Sequence, residues 1–99
     1  MPFEVKNKMD KVPTPKMKEG TITIYGLKTC PYTRKAVGLM SSNDVFINIE
    51  DYGTKDEFVD LFKIYIGDHT TVPVVFEGAR FIGGCEEFEN HLKTKSKVI

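Results

Sequence analysis

The chain predicts an α/β fold: a four-stranded mixed sheet with helices on both faces, in the order βαβαββα. Two observations carry this. Hydrophobic positions alternate over Thr21–Tyr25, then recur at helical spacing over Lys55–Ile66. Late in the chain, Val74–Phe76 and Arg80–Ile82 flank Glu77-Gly78-Ala79, the pattern of a hairpin whose turn Gly78 supplies. Ninety-nine residues make one domain. A hydrophobic content of 40% is enough for its core.

Taken in order, residues 1–20 lack apolar periodicity and contain Pro2, Pro13 and Pro15. They read as a basic extended arm, with one short helical turn around Glu4–Lys11. Thr21–Tyr25 is β-branched and reads as a central strand. Gly26–Thr29 is a loop, and Pro31 suits the first position of a helix, where a missing N–H is no loss. The helix continues over Tyr32–Met40 with Ala36, Val37 and Met40 on one face, although Gly38 costs about 1 kcal/mol against alanine. Ser41–Asp44 ends it. Val45–Ile49 is the second strand, parallel to the first through a right-handed crossover. After the loop Glu50–Thr54, the helix Lys55–Ile66 presents Phe58, Leu61, Phe62 and Tyr65 as a core stripe, and Gly67 stops it. Asp68–Thr71 leads through Val72–Pro73 into the hairpin. Gly83–Gly84 then breaks the chain before a last helix, Glu86–Leu92. The domain proper is residues 21–92, and residues 93–99 form a Lys-rich tail.

The formal net charge is zero, but it is unevenly placed. Residues 1–20 carry five lysines against three acids, and residues 93–99 carry Lys93, Lys95 and Lys97. Residues 21–92 hold six basic side chains against eleven acidic ones, a balance of −5. Basic ends on an acidic body read as solvated tails, not as a nucleic-acid-binding arm. No stretch approaches the roughly 20 apolar residues of a membrane span, and no secretory or mitochondrial leader pattern opens the chain. The expectation is a soluble cytoplasmic monomer with no nucleic-acid or membrane partner.

Only Cys30 and Cys85 are present. With two cysteines and no secretory signal, free thiols or redox chemistry are expected. The alternative is two buried, inert residues. Cys30, Cys85, His69 and His91 lack the close spacings of a zinc site, so no metal is expected. A thiol at the exposed start of a helix meets unpaired N–H groups that favour thiolate. Lys28, Arg34 and Lys35, half the basic residues of the body, add positive field beside Cys30. Strand, loop, Cys-Pro and helix together favour a nucleophile over a loop cysteine with incidental neighbours.

These residues resemble a known family. Cys30-Pro31-Tyr32-Thr33, after Thr21–Gly26, is similar to the glutaredoxin active site, usually Cys-Pro-Tyr-Cys. Thr71-Val72-Pro73 resembles that family's Thr-Val-Pro segment, and Ile82-Gly83-Gly84-Cys85-Glu86-Glu87 its Ile-Gly-Gly-x-x-Asp segment. The resemblance covers about residues 21–92 and implies a thioredoxin fold with glutathione as co-substrate.

The resemblance further implies that Pro73 is cis, leaving the Val72 backbone to pair with an extended peptide; on the residues alone an ordinary strand-start proline is the alternative. It implies a glutathione site built from Thr71, Val72, Pro73, Gly84, Cys85, Glu86 and Glu87. In that site the backbone of Cys85 and Glu86 holds the γ-glutamyl carboxylate, and Glu86 or Glu87 meets the ammonium. Lys28, with Tyr32 as a packing surface, faces the glycyl end; a surface ion pair is the alternative for Lys28. The chain departs from the family pattern at Thr33, which replaces the second cysteine, at Leu27, where a basic residue is usual, and at Glu87, where Asp is usual. Tyr65 and Ile66 stand where Gln or Arg is usual, with Lys63 or His69 as substitutes.

The function implied is thiol-disulfide exchange by Cys30 alone, reducing glutathionylated or disulfide-containing proteins. Two other readings are a carrier bridging a [2Fe–2S] cluster through Cys30 and glutathione, and a redox-silent docking module. The carrier ranks lower because such relatives typically show Cys-Gly-Phe-Ser, and Pro31 stiffens the backbone at the Gly position. Cys85, at a helix start, is expected to be partly thiolate. It is either a resolving partner for Cys30 or, preferred, a half-buried residue that lends its backbone to glutathione, since bridging needs α-carbons within about 7 Å.

Overall fold

The computed structural model describes the backbone of residues 5–96 and the side chains of residues 8–94. Its elements are β1 (Ile22–Gly26), α1 (Pro31–Val37), β2 (Val45–Asn48), α2 (Lys55–Ile66), β3 (Val74–Glu77), β4 (Arg80–Gly83) and α3 (Cys85–Ser96). A 3-10 helix over Val5–Lys11 precedes them, and a 3-10 turn over Ile49–Asp51 follows β2. The sheet runs β2-β1-β3-β4, with β1 parallel to β2 and antiparallel to β3. This is the expected mixed sheet, with β1 in its interior.

Alternation along the central strands divides the core. Tyr25, Val74 and Phe76 point to one face, where α2 packs Phe58, Phe62 and Ile66. Ile22, Ile24 and Val75 point to the other, where α1 and α3 supply Ala36, Cys85 and Phe88. Burying each large apolar side chain contributes roughly 1.5–3 kcal/mol. The aromatics dominate: Phe58 and Phe62 stack at 4.4 Å, and the Tyr25 ring lies within 5.1 Å of both. α2 begins with a capping box, in which Thr54 Oγ1 accepts from the Glu57 N–H and Glu57 Oε1 accepts from the Thr54 N–H.

Several boundaries differ from the sequence expectation, each for a physical reason. α1 ends at Val37, not Met40, because the chain tightens beyond it into i→i−3 bonds, Leu39 N–H to Ala36 O and Met40 N–H to Val37 O. On α2, Leu61 and Tyr65 are exposed, since the stripe facing the sheet is Phe58, Phe62 and Ile66, spaced by four. Tyr65 meets the edge of Phe62. α3 continues to Ser96, so the start of the Lys-rich tail is helical.

The segment before β1 also departs from a solvated arm over its described part. Met9 and Val12 are buried in the α2-side core. Lys16 N–H donates to Thr23 Oγ1 at 3.1 Å, and the Tyr25 hydroxyl donates to Pro13 O at 2.7 Å. Thr23 and Tyr25 lie wholly inside, so a polar partner had to be brought to them. Residues 1–4 and 97–99 lie outside the described residues.

Candidate active site

The site forms where the ends of the elements converge. Cys30 caps α1 with an extended backbone (φ −80°, ψ 126°), and Pro31 occupies the first helical position. The loop behind it is fixed by Cys30 N–H to Leu27 O at 2.8 Å. Cys30 is half-buried and free, as is the more deeply buried Cys85. Partial burial alone would push the Cys30 thiol up. Donors that favour the anion outweigh it: the N–H and hydroxyl of Thr33 and the Tyr32 N–H together hold the thiol below its ordinary value.

Beside α1 lies a groove of about 610 Å³. Tyr32 and Lys35 of α1 form one wall, and Thr71, Val72 and Pro73, with the Val72–Pro73 bond cis, form another. Gly84 through Glu87, at the start of α3, complete it with His69 and Glu89. A Cβ on Gly84 would lie 3.4 Å from His69 Cε1 and 3.5 Å from Pro73 O, ordinary contact distances, so these segments pack against one another here. Gly83, at φ +138°, turns the chain out of β4 into α3. Lys35 Nζ lies 3.3 Å from Glu89 Oε2 and links α1 to α3 across the groove wall. That exposed pair is worth little in stability.

At the α3 end, Gly84 N–H donates to Glu87 Oε1 at 2.8 Å. This bond, with the Glu87 N–H and more weakly His69, holds the Glu87 carboxyl below the usual carboxylate range. Cys85 behaves oppositely. Burial pushes its thiol up and the charge of Glu89 adds to this, with Lys35 acting against both. The charge of Cys30 also reaches it, so the two sulfurs share one field.

The chain is similar to proteins of known kind. Glutaredoxin 1 of Rickettsia prowazekii (strain Madrid E) is 35% identical over 71 residues, 71% of this chain and 75% of that protein. Glutaredoxin 3 of Escherichia coli (strain K12) is 36% identical over 67 residues, 67% of this chain and 78% of that protein. The chain belongs to the glutaredoxin family. A dithiolic glutaredoxin from Trypanosoma brucei brucei superposes with a TM-score of 0.64 at 24% identity, over 78% of this chain and 80% of that one. The architecture is therefore the thioredoxin-like glutaredoxin fold. No family model matches the chain.

Of the residues singled out in the sequence, Tyr32, Thr71, Val72, Pro73, Gly84, Cys85, Glu86 and Glu87 line the groove of this glutaredoxin. Cys30 stands two residues before Tyr32. Lys28 is exposed and lies outside the groove lining, its N–H donating to Asn48 Oδ1 at 3.4 Å. The expected cationic activation of Cys30 is corrected too: the groups that lower its thiol are those of Thr33 and Tyr32, and no lysine is among them. The expected partial thiolate at Cys85 is likewise overturned by burial. Glu89 was not singled out, because its place at the groove follows from α1 and α3 being neighbours, which no local pattern reveals. Among the described residues, no helix is long and apolar enough to cross a membrane.

Proposed function

We propose that this glutaredoxin is a glutathione-dependent oxidoreductase that reduces protein–glutathione mixed disulfides with one cysteine. The observation carrying this is the Cys30 thiol, favoured as an anion by Thr33 and Tyr32, beside a groove edged by the Val72–Pro73 backbone and the start of α3. Thr33 stands where a second thiol would be needed for an intramolecular disulfide. The groove offers what a γ-glutamyl tripeptide requires. The Val72 backbone pairs with its extended chain, and the first N–H groups of α3 receive its α-carboxylate. Lys35 supplies positive charge, and Glu86 supplies negative charge for the ammonium.

In the first step the Cys30 thiolate attacks the glutathionyl sulfur of the mixed disulfide. The protein thiolate leaves with the electron pair of the broken bond and takes a proton from water. In the second, the thiolate of another glutathione attacks the glutathionyl sulfur on Cys30, releasing oxidised glutathione and restoring the Cys30 thiolate. The net reaction consumes one glutathione and the mixed disulfide, and yields the protein thiol and glutathione disulfide. Clients are glutathionylated proteins, and a cytoplasmic monomer suffices.

The test is reduction of a glutathionylated peptide with glutathione or with a simple thiol of matched acidity. Turnover should be faster with glutathione and absent in Cys30→Ser, because the groove orients the tripeptide. Equal rates with both thiols would remove the glutathione site from the reading.

A further inference from the structure

The Thr33 side chain is wholly buried, and its hydroxyl oxygen has no hydrogen-bond partner among the described residues. An unmatched buried hydroxyl is unfavourable, and valine would have the same shape without that penalty. The side chain is also held in place. A Cβ on Gly26, at the end of β1, would come within 2.5 Å of Thr33 Oγ1 and 2.6 Å of its Cγ2, so threonine fills the space that glycine leaves. Its β-branched carbon is stiff about χ1. The Thr33 hydroxyl makes no hydrogen bond among the described residues of the resting protein, yet Cys30 caps α1, Thr33 is the third residue of that helix, and the Thr33 hydroxyl favours the Cys30 anion. The two facts agree if the partner is the charged sulfur: a thiol or disulfide sulfur is a poor acceptor, and a thiolate is a strong one.

We propose that the Thr33 hydroxyl is reserved for the Cys30 thiolate and assists the step in which that sulfur is released as an anion. The proposal rests on the function given above and assigns Thr33 to its second step. In the Cys30–glutathione disulfide, Cys30 carries no charge and the hydroxyl again lacks a partner. The incoming glutathione thiolate then bonds to the glutathionyl sulfur. The bond to Cys30 breaks, its electron pair stays on the Cys30 sulfur, and the Thr33 O–H donates to the new anion. Glutathione is oxidised and Cys30 reduced, and the proton lost from the incoming thiol passes to water. The hydrogen bond forms as the sulfur departs, so it lowers the barrier instead of stabilising the starting disulfide.

Thr33→Val keeps the shape and removes the donor, and Thr33→Ser keeps the donor. Three quantities are read on each: the pH midpoint of Cys30 alkylation by iodoacetamide, the rate at which glutathione reduces the preformed Cys30–glutathione adduct, and the thermal midpoint. Thr33→Val should raise the alkylation midpoint by about 1 pH unit and slow adduct reduction about tenfold. Its thermal midpoint should equal or exceed that of the wild type, since it buries no unmatched hydroxyl. Thr33→Ser should restore both the midpoint and the rate. Either quantity unchanged in Thr33→Val overturns the proposal, as does a serine variant that behaves like valine. Should the valine variant not fold, Thr33→Ala carries the same expectation. Alkylation needs no glutathione, so a wild type without glutathione preference defeats the function proposed above while the midpoint still decides the role of Thr33.

Discussion

Two cysteines stand at the starts of two helices in this glutaredoxin, and their chemistry runs in opposite directions. Cys30 caps α1, and Cys85 is the first residue of α3. Desolvation acts on both and favours the neutral thiol in each case. Only Cys30 has donors aimed at its sulfur, and their sum exceeds the desolvation. Cys85 has carboxylates nearby and its thiol is pushed up. Position at a helix start is therefore not sufficient for a nucleophile. What decides is whether N–H and O–H groups converge on the sulfur itself.

The largest effect expected from this contrast is in labelling. Near neutral pH, iodoacetamide should modify Cys30 at least about 100-fold faster than Cys85, because only the thiolate reacts. Peptide mass spectrometry after short exposure reads it, and comparable labelling of both would erase the contrast. In the same direction, Cys85→Ser should keep glutathione-dependent turnover within about twofold, with its thiol protonated and out of the chemistry.

A second way to sharpen the comparison is to disturb the Cys30 end from behind. Gly26→Ala forces a Cβ into Thr33 and should destabilise the protein by about 1–3 kcal/mol, as other overpacked sites do. Thermal or urea unfolding measures this, and an unchanged midpoint would mean that Thr33 moves aside freely. The α3 end has its own handle in Glu87. Its carboxyl is held below the usual range, so the unfolded chain binds that proton more tightly than the native one. The stability it contributes is complete above the unfolded value near 4.3 and is lost as pH falls through the lower native value. Glu87→Gln should flatten that acid limb in a pH series of melts, and a limb of unaltered slope would assign it to other carboxyls.

The smallest effect expected is at Lys28. Lys28→Ala should shift the Cys30 alkylation midpoint by less than about 0.3 pH unit, since the charge is exposed and screened. A larger rise would bring lysine back as a cause of Cys30 activation.

Most of the fold was legible in local pattern. The Lys55–Ile66 helix has the limits read from its spacing, because Phe58 and Phe62 lie four apart and Gly67 follows. The hairpin followed from Gly78, and the parallel β1–β2 pair from the helix between them. Facts that depend on tertiary neighbours were not legible. Nothing local says that Leu61 and Tyr65 lie on the rim of the α2 face, or that Met9 and Val12 are core residues of a segment without periodicity. At the site, Cys30 was readable from Cys-Pro before a helix, and Thr71–Pro73 and Gly84–Glu87 from family resemblance. The source of Cys30 activation was misread because lysines near in sequence are conspicuous, whereas the donors of Thr33 and Tyr32 face Cys30 only once α1 is built. Direct signals for Glu89 and Lys35 as a linked pair do not exist in either segment alone.

The bond from the Tyr25 hydroxyl to Pro13 O bears on where this domain can be cut. Burial pushes the Tyr25 phenol well above its ordinary value, so it remains a neutral donor whose mate belongs to the segment before β1. A version trimmed to begin at Thr21 would leave that phenol unmated and the Thr23 hydroxyl without its Lys16 partner. It would also remove Met9 and Val12 from the core cluster they share with Phe58 and Phe62. For fusion or grafting, the usable front edge of this scaffold thus lies ahead of Met9, well upstream of the first strand.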